Sequence, residues 1–462
     1  MRTKTYIRLV RYKFAIKKGN HVMSLEIFER LESDVRSYIR SFPTLFTQAE
    51  GCWITDENNQ RYLDFFAGAG SLNYGHNHAV LKEPLIQYLQ SNGITHSLDM
   101  ATEAKQKFIQ AFEQYILKPR GMNYKLQFTG PTGTNAVEAA LKIARLATGR
   151  TEVICFTNAF HGVTAGSVAT TGNSKFRNAT GVALSNSTFM PYCGYFGAET
   201  NTLEQMERML DDRSSGVDVP AAVLVECIQG EGGINTASAE WLQGLAELCQ
   251  RHEILLIIDD IQMGCGRTGN FFSFDDMGIT PDIITLSKSI SGYGMPMALV
   301  LLRPELDVWE ISAHNGTFRG NNLAFITATK TLEHFWSNDE FAKSVQRKGR
   351  FIHDQLNVFA NQYACIQEIR GRGMVAGIVF ESGEQADFIA ENAFGEAKLI
   401  VETCGSKGEV VKLLPPLVIG IDELADGLER LEQVIKRLQA QIDSHSESPA
   451  IAHQSSLTTL EV

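Results

Sequence analysis

The sequence predicts an α/β fold in which a mostly parallel sheet is covered by helices. Two observations carry that expectation. Short apolar runs alternate along the chain with stretches of helical periodicity, and one such stretch lies between two runs where a crossover helix belongs. The runs are Val153–Phe156, Ala222–Val225, Ile254–Ile258, Asp282–Leu286 and Ala298–Leu302, each too short for a stable isolated helix and most rich in β-branched residues. Between the second and third lies Ser238 to His252, where Ser238 suits the N-cap and Trp241, Leu242, Leu245 and Leu248 share one helical face. In such sheets ligands gather beyond the carboxyl ends of the strands, so the residues that follow the runs are the first candidates for a site.

At 462 residues, 44% apolar and 21% charged, the chain is long enough for a large core and for more than one lobe. A formal net charge of -11 argues against a general nucleic-acid binder. The eight cysteines are scattered, with no CxxC pair and no metal-like spacing, and are read as reduced thiols rather than ligands. No apolar run approaches the roughly 20 residues of a membrane span, and no signal peptide is evident, so a cytoplasmic location is expected. Residues 1–22 carry Arg2, Lys4, Arg8, Arg11, Lys13, Lys17 and Lys18 without one acid and are read as a basic extension outside the fold. Residues 442–462, rich in Ser, Thr and His, are read as a disordered tail.

Three places stand out. Thr129-Gly130-Pro131-Thr132-Gly133-Thr134-Asn135 opens onto a stripe of Val137, Ala140, Leu141 and Ala144 with Gly149 as its stop, so a small-residue loop feeds a helix N-terminus. Exposed amides and the helix dipole favour a phosphate there, although many such turns only start helices; neither G-x-G-x-x-G nor a Walker pattern is present. Next, Asp259 ends an apolar strand, where a carboxylate needs a cation or strong donors unless it merely caps a turn. Finally, Lys288 follows another apolar run and precedes Ser291-Gly292-Tyr293-Gly294, placing an amine in the same crevice; taken alone it reads as a surface charge.

Together with Asn158-Ala159-Phe160-His161-Gly162, Glu226 through Gly233, Asp259 through Gly269 and His314-Asn315-Gly316-Thr317-Phe318, these places resemble the class III, or ω-, aminotransferases from about Phe42 to Leu438. The resemblance implies a fold-type I pyridoxal-phosphate-dependent transferase. Its large domain, 74–324, would carry a mostly parallel seven-stranded sheet, and a smaller α+β domain would be made of 23–73 and 325–441. It implies Lys288 as the Schiff-base lysine and proton-transfer base, and Asp259 as the partner of the pyridine nitrogen. Gln262 would face the phenolic oxygen, Phe160 would stack on the ring, and Gly133 and Thr134 would hold the phosphate. Thr317 would be lent by a neighbouring subunit, so a homodimer with amino-acid and keto-acid substrates is expected.

Two departures concern the substrate. Val163 stands where many relatives have a carboxylate-binding arginine, and Lys412 stands where they have the arginine that pairs with the glutamate matching Glu231. Lysine keeps the charge but loses the bidentate fork. Arg319 replaces a common glycine and is expected to take over carboxylate binding, or else to brace the subunit interface. The segments Asp64–Gly70, Thr95–Thr102, Phe128–Asn135, Asp259-Asp260 and Thr317–Asn321 most resemble the branch of the family that exchanges amino groups between diaminobutyrate and 2-oxoglutarate, in the type that serves ectoine synthesis. A sister enzyme acting on ornithine, acetylornithine or 4-aminobutyrate, or an aminomutase, would keep the same cofactor residues.

Overall fold

A computed structural model describes residues 25–446; the basic extension expected over 1–22, and 447–462 of the expected tail, lie outside the described residues. The chain forms two compact units: the described part of 1–48 with Thr55–Gln60, and Ala49–Ile54 with the chain from Arg61 onward. In the first, helices Glu26–Leu31 and Tyr38–Ser41 precede a turn organised by Asp56. Its carboxylate accepts from the amides of Asn58 and Gln60, each at 2.9 Å, and from the Thr44 hydroxyl at 3.1 Å.

The second unit holds a seven-stranded sheet. Its elements in chain order are β1 (Lys125–Phe128), α1 (Gly133–Thr148), β2 (Val153–Phe156), β3 (Thr188–Met190), β4 (Ala222–Val225), α2 (Ala239–Arg251), β5 (Leu255–Asp259), β6 (Ile283–Leu286) and β7 (Leu299–Leu302). The strand order is β1-β7-β6-β5-β4-β2-β3. The strands from β6 to β3 run parallel to their neighbours, and β7 is antiparallel to both β6 and β1. All five expected runs are strands, within one residue of the expected ends, and Ser238 caps α2 by accepting from Trp241 N at 3.1 Å.

Helices cover both faces because successive strand side chains alternate. Ile257, Ile283 and Val300 face α1 through Val137, Ala140 and Leu141. Ile258, Ile284 and Leu301 join the opposite core with Leu242, Leu245 and Leu248 of α2. Each such side chain, fully buried, contributes roughly 1.5–3 kcal/mol of apolar transfer.

Farther along, α3 (Asn322–Phe335) and α4 (Glu340–Gln362) lead into β8 (Ile366–Arg372) and β9 (Val375–Phe380), then α5 (Gly383–Gly395), β10 (Glu402–Cys404), β11 (Val410–Leu413) and α6 (Ile421–Ser446). The four strands form an antiparallel sheet ordered β8-β9-β11-β10. A separate core joins Ile352 and Leu356 of α4, Ile378 of β9, Val411 of β11 and the α6 stripe Leu424, Leu428, Leu431 and Ile435. That stripe carries α6 three residues past Asp443, so 442–446 are helical rather than part of a tail. Among the described residues no helix is long and apolar enough to cross a membrane.

Candidate active site

Strand register brings the two chief candidates together. Asp259, the last residue of β5, pairs with Thr285 of β6, and Lys288 follows three residues beyond that partner, so both stand at the carboxyl ends of adjacent parallel strands. The backbone around Lys288 is pinned on either side: Ser287 Oγ donates to Met297 O at 3.0 Å and Ser289 Oγ to Gly70 O at 2.8 Å. Lys288 itself adopts a left-handed φ of 51°, a strained conformation for a residue with a Cβ, which the two serine anchors hold. No hydrogen bond or ion pair engages its amine among the described residues. Burial pushes its pKa below the ordinary lysine value, against the pull of Glu231, so the neutral amine is favoured.

Asp259 meets donors on both oxygens. Its Oδ2 lies 2.7 Å from His161 Nδ1, and its Oδ1 accepts from Ile261 N and from Thr285 Oγ1, each at 3.2 Å. Burial would lower the His161 pKa, but the bond to Asp259 and the charges of Asp259 and Glu226 raise it. The other ring nitrogen of His161 is buried without a partner. Asp260, next along the chain, turns away into the core and accepts from Ser273 N at 3.1 Å.

Glu231, Lys412 and Gln262 also converge. The fully buried Lys412 ammonium lies 2.7 Å from Glu231 Oε1 and 2.9 Å from Glu402 Oε1. Glu402 and Lys412 face each other across β10 and β11 in register. Burial alone would raise the Glu231 pKa, yet Lys412 and Lys288 bring it down to about 2. Burial raises Glu402, which Lys412 offsets only in part. Gln262 Nε2 donates to Glu231 Oε1 and Ala69 O, each at 3.1 Å, and its Oε1 is buried without a partner.

At the start of α1, the amides of Gly133 and Thr134 have no acceptor among the described residues, as the opening turn of a helix requires. Thr134 Oγ1 lies 2.6 Å from both Thr164 Oγ1 and Ser167 Oγ. Glu138 ties the 164–167 segment down, accepting from Thr164 Oγ1 at 2.6 Å and from Gly166 N at 2.9 Å. Phe160 packs edge-on against Phe176 with centroids 5.2 Å apart, and its amide donates to Glu226 Oε1 at 3.0 Å.

Thr317 stands apart on an exposed turn, and Val163 is exposed. Arg319 is engaged within the chain, by the Asp99 carboxylate and by His314 O at 3.2 Å. The sequence reading gave no role to His161, Glu226 or Glu402. The first two lie inside quoted motifs, and Glu402 is an acid directly after the apolar stretch from Leu399 to Val401, a signal of a buried partner.

A cavity of about 220 Å³ opens beside Phe160 and Glu231, lined also by Asn158, Asn173 and Ser406. The arrangement offers a buried amine whose pKa is lowered, a carboxylate held by histidine and a free helix N-terminus. That combination can hold an anionic phosphate at one end and a protonated ring nitrogen at the other, and the amine can take up or release a proton.

The family profile described as aminotransferase class-III matches residues 36–435. Over 412 residues the chain is 57% identical to a diaminobutyrate--2-oxoglutarate transaminase of Bordetella parapertussis, covering 89% of this chain and 94% of that protein. It is 58% identical over 409 residues to the enzyme of the same name from Nocardia farcinica, covering 88% and 93%. Among solved structures, ornithine aminotransferase from Toxoplasma gondii superposes with a TM-score of 0.78 at 26% identity, covering 90% of this chain and 95% of that one.

Proposed function

The chain belongs to the class III aminotransferases, and from that premise we propose that it interconverts L-2,4-diaminobutyrate plus 2-oxoglutarate with L-aspartate 4-semialdehyde plus L-glutamate, using pyridoxal 5'-phosphate. One observation carries the chemistry: the unpartnered Lys288 amine and the His161-backed Asp259 carboxylate stand at the carboxyl ends of neighbouring strands. The substrate reading is supported by identity above half, over most of both chains, to enzymes named for that exchange.

The residues fit the cofactor. The acceptorless amides at the α1 N-terminus suit its phosphate, and the buried, cation-seeking Asp259 suits its ring nitrogen. When bound, pyridoxal phosphate supplies an electron sink for the pair left on the substrate carbon by proton loss. Lys288 Nζ would hold the cofactor and, when free, would take the proton from the substrate carbon, a task that its depressed pKa serves. Asp259, oriented by His161 Nδ1, would keep the ring nitrogen protonated. Phe160 would cover one ring face, while Gly133 and Thr134 would hold the phosphate. Gln262 would give up its bond to Glu231 to donate to the phenolic oxygen. Glu231 and Lys412 separate to admit a carboxylate on the reacting carbon, and Arg319 binds the far carboxylate after exchanging its Asp99 contact. Thr317 reaches the phosphate of a second subunit, which makes a cytoplasmic homodimer part of this reading, and the motif likeness noted above points to the ectoine-type branch.

Purified protein loaded with cofactor should convert 2,4-diaminobutyrate and 2-oxoglutarate to semialdehyde and glutamate with ping-pong kinetics. Borohydride should fix a chromophore covalently in the parent protein and not in Lys288→Ala. Turnover with ornithine or 4-aminobutyrate but not with diaminobutyrate would reject the substrate assignment. Arg319→Ala should raise the KM for 2-oxoglutarate, and an unchanged KM would remove Arg319 from the substrate site.

A further inference from the structure

The charge count around Lys412 is uneven. One ammonium, fully buried, is shared by two carboxylates, Glu231 at 2.7 Å and Glu402 at 2.9 Å. Gln262, the other side chain bonded to Glu231, is neutral. Asp259 is matched by His161 on the other side of the crevice. With both acids ionised, the Glu231–Lys412–Glu402 group carries a net charge of -1 beside Lys288, whereas a single acid and a single base would cancel.

We propose that Glu402 is a specificity-determining residue that makes this wall of the site anionic, favouring an amino donor whose reacting end is an ammonium without a carboxylate. The inference rests on the proposed transaminase reading and deepens it. Diaminobutyrate bears two ammonium groups and one carboxylate and is a net cation; glutamate is a net anion. A fixed negative charge in a site shielded from water lowers the energy of the first and raises that of the second. Glu402 needs no direct contact with substrate, because its charge acts through the Lys412 ammonium that it leaves over-compensated. Its place opposite Lys412 in the β10–β11 register fixes that charge regardless of how Glu231 moves.

The test uses holoenzyme at about pH 7, below the α-amino range, so that diaminobutyrate keeps both of its ammonium groups. Apparent dissociation constants for diaminobutyrate and for glutamate come from single half-reactions followed by the cofactor absorbance. In Glu402→Gln the ratio of the diaminobutyrate constant to the glutamate constant should rise about fivefold to tenfold. Glu402→Asp, which keeps the charge, should hold the parent ratio. If the amide variant does not fold, Glu402→Met removes the same charge with an apolar stem. An unchanged or falling ratio overturns the proposal, as does a parallel loss for both donors. If the parent enzyme does not accept diaminobutyrate, the substrate reading fails separately, and the same ratio is then taken with the dibasic donor ornithine against glutamate.

Discussion

Glu226 shows how a single buried group can be read through pH. Its two oxygens join the Phe160 loop to the Gly230 turn, accepting from Phe160 N at 3.0 Å and Gly230 N at 3.3 Å. Burial is the main cause that raises its pKa from 4.5 to about 7. Below the unfolded value both states hold the proton. As pH rises toward 7 the unfolded chain loses it first, so folding stability falls across that window by roughly 3 kcal/mol and levels off above it. Glu226→Gln removes this slope and, because an amide nitrogen replaces one acceptor, adds a constant loss of about 1 kcal/mol. Urea unfolding of both apoproteins from about pH 5 to 8 should show the parent losing stability relative to the variant. A difference that is flat with pH would contradict the burial argument; His161, held by Asp259 in both proteins, largely cancels. The sequence exposed Asp259 and Lys288 because each ends an apolar strand, where a charge has no structural use. It left Glu226 and Glu402 unread because their partners, backbone amides of two loops and a cross-strand lysine, are brought to them only by the fold.

At the scale of elements, the start of α1 depends on a glycine from another segment. Gly162 has a φ of +123°, and a Cβ added there would lie 2.6 Å from Thr134 Oγ1 and 2.7 Å from Ser167 Oγ. Gly162→Ala should therefore push the Thr134 hydroxyl out of place and weaken cofactor retention by about tenfold, in line with the loss of one hydrogen bond to a charged group. Gly149, the left-handed stop of the same helix, has open space around an added Cβ, so Gly149→Ala should cost only about 1 kcal/mol of stability and leave retention unchanged. Fluorescence titration of the apoprotein with cofactor separates the two, and parent-like affinity in Gly162→Ala would mean that this contact does not shape the cradle. The five strands read from sequence are the uninterrupted apolar ones. The two missed, β1 and β3, are the edges of the large sheet: β1 carries Lys125 and Gln127, and β3 has only three residues. An edge strand is short or partly polar because one side has no neighbour, and that erases the signal.

For the molecule as a whole, the sequence carried the alternation of strands and helices but not the surface that two distant motifs build together. Thr95–Met100 and Thr317–Asn322 are joined by Ser97 N to Gly320 O at 3.0 Å and by Asn322 N to Thr95 O at 3.1 Å, and the His96 and Phe318 rings meet at 5.2 Å. On this joint face Met100 is 58% and Phe318 66% exposed, with Leu98 beside them. Exposed apolar side chains clustered on two joined segments are what an association surface requires, and Thr317 adjoins Phe318 there. In the proposed homodimer this face is covered, and the same contact delivers Thr317 to the partner's phosphate site. Phe318→Lys places a charge at the centre of that contact. Sedimentation velocity should show the parent as a dimer or larger and the variant shifted toward monomer, with cofactor affinity falling in step because Thr317 no longer reaches its target. A parent that sediments as a monomer while fully active, or a variant monomer that keeps its cofactor as tightly, would detach this surface from the site and leave each subunit catalytically complete alone.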